Sequence, residues 1–394
     1  MSMHSVPDFR VLLGSPTWRQ SRRVFWRDIQ ALCPTWALRG QDRRRAISQG
    51  EMVIDFASGA QLVVTGLDRP ERAEGAPLDF VGIDESADVK ESAWLENIRP
   101  SLSERGGQAW LVGTPSGRNW FWELATKAQE DASELWSFHT WPSRTVLDPA
   151  EIEIARSELD ERTFAQEFEA SFLDVSGRVY YGFQREVHAA ENLPYDPTVT
   201  LMIGFDFNIS PGVAVFVQER PYQGRNPKVD RAAPIAVVVD EVWIERDSNT
   251  PAVCRETIGR YNRHDGPVEV YADASGGSGH TSQTDGSDLV LIKKHLEPVF
   301  GSRLRWRVPH ANPPVRSRIN SLNSRLESAD GKVHLLVDPS CRHVIQDLEG
   351  VCWSDSGDID KKSSPMLSHI SDALGYIAHE KWPLTGREAV VSQL

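Results

Sequence analysis

Asp206, Asp273 and Asp372 are the residues of this sequence best placed to do chemistry. Asp206 interrupts the apolar run Leu201-Met-Ile-Gly-Phe-Asp-Phe-Asn-Ile-Ser210. A charge inside an otherwise buried strand is costly unless it is paired or bound to a metal, so it asks for a partner. Asp273 closes the run Val268-Glu-Val-Tyr-Ala-Asp273 and is followed by Ala-Ser-Gly-Gly277, small residues that leave room for a ligand. Asp372 lies in His369-Ile-Ser-Asp-Ala-Leu-Gly-Tyr-Ile-Ala378, where Ile370, Leu374 and Ile377 repeat at helical spacing. His369, three residues earlier, shares a side of that helix with Asp372. Two acids at strand ends and a third on a late helix suit a two-metal phosphodiesterase, because carboxylates repel unless divalent cations, Mg²⁺ or Mn²⁺, hold them together. A lone aspartate at a strand end is more often a turn or cap residue. The order of the three and the Gly-rich stretch after the second set them apart.

A second constellation is Leu78-Asp-Phe-Val-Gly-Ile-Asp84-Glu85, an apolar strand that delivers two adjacent acids into a loop. It has the form of a Walker B element, in which Asp84 would hold Mg²⁺ and Glu85 would polarise the water that attacks the γ-phosphate of ATP. An acidic turn at a strand end is the plainer alternative. The next strand, Gln108-Ala-Trp-Leu-Val-Gly113, ends in Thr114-Pro-Ser-Gly-Arg118, and Thr114 stands where a polar residue senses the γ-phosphate.

The elements that must position these residues are legible as alternating strands and helices. Residues 9 to 14 read as a buried strand and 18 to 32 as a helix with Val24, Phe25, Ile29 and Leu32 inward. Residues 52 to 56 and 61 to 65 form a hairpin around Ser58-Gly59. With the strands ending at Asp84 and Gly113 they predict a mostly parallel sheet with its ligand beyond the carboxyl ends. Helices are expected at 120 to 130, 150 to 159 and 162 to 172. Residues 176 to 200, rich in glycine and proline, read as a linker between a first domain, 1 to 175, and a second, 201 to 394. In the second, the runs 201 to 210 and 211 to 217 read as a strand, a turn and a second strand, and a strand at 235 to 244 precedes helices at 251 to 261, 287 to 296 and 315 to 326. Arg303, Arg305 and Arg307 alternate with apolar residues, which would put three guanidinium groups on one face of a strand, suited to phosphates or merely solvated.

At 394 residues the chain has room for two cores. Its net charge of −13 argues against indiscriminate wrapping of nucleic acid, yet residues 301 to 343 carry eight Lys or Arg against three acids. No apolar run approaches the roughly 20 residues of a membrane helix and none marks a signal peptide, so a soluble intracellular protein with no membrane partner is expected. Cys33, Cys254, Cys341 and Cys352 are scattered, without the spacing of a zinc site.

With these elements placed, the whole chain resembles the large terminase subunit of tailed bacteriophages, the motor and nuclease of DNA packaging. The stretches that carry the likeness are Pro16-Thr-Trp-Arg-Gln20, Val81-Gly-Ile-Asp-Glu85, Ile98-Arg-Pro100, Gly113-Thr-Pro-Ser-Gly117, Phe164-Ala-Gln-Glu-Phe168, Asp206, Asp273, Arg318-Ile-Asn320 and His369 to Tyr376. The resemblance implies an α/β fold, an ASCE-type ATPase domain followed by an RNase H-like nuclease domain. It implies Asp84 as the Walker B metal acid, Glu85 as catalytic base and Thr114 in the coupling motif. Asp206, Asp273 and Asp372 become the nuclease metal ligands, with His369 as a fourth member. The partners it implies are double-stranded DNA, a small terminase subunit, a portal protein and further copies in a ring, in the host bacterial cytoplasm. One departure stands out. No GxxxxGK[ST] occurs in these residues, and Glu74-Gly75 stands where the family tends to have Arg-Gly. The resemblance places the P-loop ahead of Phe9, so unaided ATP hydrolysis by this polypeptide is not expected. A stand-alone RNase H-like nuclease or resolvase, and a non-catalytic DNA-binding remnant, are the competing readings.

Overall fold

The computed structural model describes residues 7–73, 77–117, 119–131, 135–172, 177–191, 193–206, 211–245, 248–274, 287–354 and 357–384. The Gly-rich stretch after Asp273, Arg118 and the Glu74-Gly75 pair lie outside them. The chain forms two compact units, residues 1–142 with 169–174, and residues 143–168 with 175–394. The segment 143–168 thus belongs to the second unit, whereas composition alone puts the division at 176 to 200. Its packing explains why. Phe164 and Leu159 pack with Ala329, and the Ala329 N–H donates to the Leu159 carbonyl.

The first unit is built on a six-stranded sheet. Its strands are β1 (Arg10–Ser15), β2 (Ile47–Ser48), β3 (Val53–Asp55), β4 (Gln61–Gly66), β5 (Phe80–Ile83) and β6 (Gln108–Leu111), in the order β2-β3-β4-β1-β5-β6. β4, β1, β5 and β6 run parallel, while β3 joins β4 in the expected hairpin, with Gly59 supplying the positive φ of the turn. The helical stretch after β1 keeps part of the inward face expected of it, with Phe25 and Ile29 packed against the core. Trp26 is buried, whereas Leu32 is 80% and Val24 41% exposed. The cause is a π-helical turn, Arg22–Trp26, between the α-helical segments Trp18–Ser21 and Arg27–Leu32. Its wider turn shifts the phase of the side chains, so a regular 3.6-residue period misplaces Val24 and Leu32.

The second unit holds another six-stranded sheet, with β7 (Leu201–Asp206), β8 (Gly212–Arg220), β9 (Ile235–Ile244), β10 (Val268–Ala272), β11 (Leu304–Trp306) and β12 (Leu335–Val337) in the order β11-β10-β7-β8-β9-β12. β7, β8 and β9 form an antiparallel meander, and β10 runs parallel to β7 and β11 to β10. Every residue of β10 is buried, as a strand covered on both faces must be. One face packs on helices Val315–Leu326, Arg342–Gly350 and His369–Lys381, the other on Thr250–Tyr261 and Asp288–Phe300. Gly204 sets how closely the helix His369–Lys381 approaches β7. A Cβ there would stand 2.5 Å from the Ala373 carbonyl oxygen.

The expected arginine face is not a strand face. β11 is only three residues long and contains Arg305 alone, Arg303 belongs to the preceding 3₁₀ turn, and Arg307 pairs with the buried Glu269 at 2.9 Å. Nor does the helix 315–326 offer all its arginines to solvent. Arg318 is buried, and Arg325 lies over the Trp382 ring, its charge disfavoured by burial.

Candidate functional site

The parallel pairing of β7 with β10, with Ala272 opposite Phe205, sets the next residues, Asp273 and Asp206, side by side at the carboxyl ends of the two strands. The helix His369–Lys381 crosses over β7 at Gly204 and brings His369, Asp372 and Tyr376 to the same end. His369 Nδ1 is 3.3 Å from Asp206 Oδ2, and the Tyr376 hydroxyl donates to Asp273 Oδ2 at 3.2 Å. Tyr376 follows Asp372 by four residues and shares its helix face, a spacing the sequence already carries.

The electrostatics of the cluster follow from its burial. Loss of water pushes the Asp206 carboxyl above its ordinary value, opposed by the His369 hydrogen bond, and the charge of Asp372 pushes the same way as burial. His369 Nε2 faces the Pro365 carbonyl at 3.0 Å and must donate to it, so Nδ1 and Asp206 share a single further proton. The hydrogen bond to Asp206 raises the His369 pKa.

Asp372 is already matched. Arg318 Nη1 lies 2.9 Å from its Oδ1 and Lys361 Nζ 3.2 Å from its Oδ2. The Arg318 guanidinium also sits 4.3 Å from the centre of the Tyr376 ring, so one cation bridges the acid of the helix and the tyrosine that holds Asp273. Lys361, 11 residues before Asp372 in a loop, carries no sequence signal of this role.

As the side chains stand, no group of three or more His, Cys, Asp or Glu among the described residues is arranged to hold a metal ion. In kind, however, the donors fit Mg²⁺ or Mn²⁺. Asp206 and Asp273 offer carboxylate oxygens at one strand end, and burial raises the Asp206 pKa. Asp372 has Arg318 and Lys361 where a cation would otherwise neutralise it.

In the first unit, Asp84 and Glu85 follow β5, and Thr114 lies three residues beyond β6, its parallel neighbour. The three residues are at the same end of the sheet. The Ser86 N–H donates to the Val112 carbonyl at 2.9 Å, and a Cβ on Gly113 would meet Ser86 N at 2.9 Å and Glu85 Cα at 3.3 Å, so the two loops touch. Glu85 adopts the left-handed conformation, φ 50°, which an L residue takes only at a cost, and burial raises the Asp84 pKa.

Residues 43–187 match the family described as "Terminase large subunit, T4likevirus-type, N-terminal". The chain is 26% identical over 400 residues to the large terminase subunit of Escherichia phage T5, covering 94% of this chain and 80% of that one. It is 31% identical over 226 residues to the large terminase subunit of Thermus virus P23-45, covering 49% of this chain and 45% of that protein. Among solved structures it is similar to the large terminase of a thermophilic bacteriophage, with a TM-score of 0.61 and 14% identity, covering 96% of this chain and 87% of the other, a likeness of fold.

Proposed function

We propose that the chain is a phage large terminase subunit, a reading its likenesses support, and that its second unit is a metal-dependent endonuclease that cuts concatemeric double-stranded DNA during genome packaging. The observation that carries the reading is the meeting of Asp206, Asp273 and Asp372 at one end of the β7–β10 pair, each from a distant part of the sequence. In the RNase H-like arrangement proposed for this unit, Asp206, Asp273 and Asp372 hold divalent cations. When bound, these supply charge neutralisation at the scissile phosphate and a water of lowered pKa.

The chain's own residues prepare that site. Asp206 and His369 share a proton at the strand end, Tyr376 orients Asp273, and the buried Arg318 holds Asp372. The first unit is proposed as the ASCE-type ATPase part of the motor, with Asp84 toward Mg²⁺, Glu85 as base and Thr114 in coupling. A small terminase subunit, a portal protein and further copies of the chain are the proposed partners, with DNA as substrate, in the host bacterial cytoplasm. Among the described residues no helix is long and apolar enough to cross a membrane.

The test is cleavage of a supercoiled plasmid with Mn²⁺, by the parent and by Asp206→Ala. Cleavage by the parent alone supports the reading. No cleavage by the parent, with DNA binding retained, favours the DNA-binding remnant, which the present pairing of Asp372 with Arg318 and Lys361 would suit.

A further inference from the structure

The helix that carries His369 and Asp372 has no cap of its own. Ser368 at its start is 1% exposed, adopts φ 78°, and its side chain makes no capping hydrogen bond. The first N–H groups of a helix have no partner within it, and burial here shuts out the water that would otherwise serve them. A carboxylate from another helix fills the gap. Asp347, on Arg342–Gly350 and 1% exposed, accepts the Ser371 N–H at 3.0 Å. The Ser371 hydroxyl donates to the Ser368 carbonyl at 3.2 Å, closing the same turn. The Asp372 N–H in turn donates to the Ser368 carbonyl at 2.8 Å, so the turn that sets His369 and Asp372 is anchored at both ends.

Burial pushes the Asp347 carboxyl up to about 6, against the pull of its hydrogen bonds. The fold keeps it nonetheless, beneath the first turn of this helix, where an anion is favoured by the helix dipole. An apolar residue would pack there without the desolvation cost but would leave the buried Ser371 N–H unpaired and the left-handed Ser368 turn unsupported.

We infer that Asp347 is a positioning residue for the nuclease site. It touches neither substrate nor metal, and fixes the turn from which His369 and Asp372 project. The inference rests on the nuclease reading given above. Outer partners of metal ligands typically change metal affinity or activity about 10- to 100-fold when removed.

The test uses the 394-residue protein with Asp347→Ala and Asp347→Asn. Three measurements are made on each: Mn²⁺ affinity by calorimetry, plasmid cleavage as kcat and KM, and amide hydrogen exchange at residues 368 to 372. Asp347→Ala is expected to weaken Mn²⁺ binding and lower kcat, each by about 10- to 100-fold, with KM for DNA unchanged and exchange at Ser371 faster. Asp347→Asn keeps one acceptor oxygen in the same volume and should fall between Ala and parent in all three. Parent-like Mn²⁺ affinity in Asp347→Ala, or parent-like exchange at Ser371, overturns the inference. If Asp347→Ala does not fold, parent-like affinity and exchange in Asp347→Asn overturn it equally. A parent that neither binds Mn²⁺ nor cleaves sinks the nuclease reading and this role with it, whereas a parent that does both while Asp347→Ala matches it sinks this role alone.

Discussion

Arg318 Nη1 and Asp372 Oδ1 are 2.9 Å apart, in an ion pair whose side chains are 9% and 10% exposed. A buried pair of this kind adds little against an apolar alternative, but removing one partner strands the other. Arg318→Ala is therefore expected to destabilise the second unit by about 3 kcal/mol, the low end of such losses because Lys361 still meets Asp372, with a smaller loss in the double variant Arg318→Ala with Asp372→Ala. Arg318→Lys should not restore the parent, because only the planar guanidinium both meets the carboxylate and lies over Tyr376. Denaturant unfolding of the parent and these variants decides it, with Asp372→Ala alone completing the cycle, and additive losses would show the pair to be uncoupled.

Asp206→Ala should lower Mn²⁺-dependent plasmid cleavage by more than the roughly 100-fold that loss of an outer partner costs. In chelator the same variant should melt no lower than the parent, since it removes a buried carboxylate that burial and Asp372 both oppose. Mn²⁺ at about 100 times its Kd should stabilise the parent by about 2.7 kcal/mol and Asp206→Ala by much less. A parent melt indifferent to Mn²⁺ would refute the metal assignment.

Arg305 and Arg307 should separate by function. Arg305 is exposed on the edge strand, so Arg305→Ala, if that edge meets DNA, lowers the slope of log affinity against log salt by about one unit. Arg307→Ala acts on stability instead. Burial pushes the Glu269 carboxyl up, but Arg307, Tyr271 and Lys381 overcome it and leave it below the ordinary glutamate value. The depressed pKa means that its contribution is present above the unfolded value, about pH 4.3, and is lost as pH falls through the lower folded value. Arg307→Ala should thus cost about 1–3 kcal/mol at pH 7, shrinking toward zero as Glu269 is protonated. A cost that stays constant down to about pH 3, below the ordinary glutamate value, would assign the loss to packing.

Glu85 provides a test of stored strain. At φ 50° it holds a conformation that glycine takes freely, so Glu85→Gly should be more stable than Glu85→Ala by up to about 1 kcal/mol. Both variants should remove whatever ATP turnover the parent shows. An alanine variant as stable as the glycine variant would mean that the loop relaxes and stores nothing.

The sequence by itself determined the strands that end in Asp84, Asp206 and Asp273, because an apolar run closed by an acid is a local pattern. It also determined the late helix with His369 and Asp372 on one side, since helical periodicity is local too. It did not reveal what meets these acids. Arg318 and Asp372 lie 54 residues apart, Asp206 and His369 163, and Tyr376 and Asp273 103. Such pairs exist only once β10 joins β7 and Gly204 admits the helix above them. The arginines show the same limit from the other side. Their spacing announced a basic face, yet whether a guanidinium meets solvent or a buried carboxylate depends on the neighbouring strand, and Glu269 of β10 claims Arg307. Asp347 carried no signal at all, because a cap borrowed from another helix has no sequence spacing to betray it and is made only by tertiary packing.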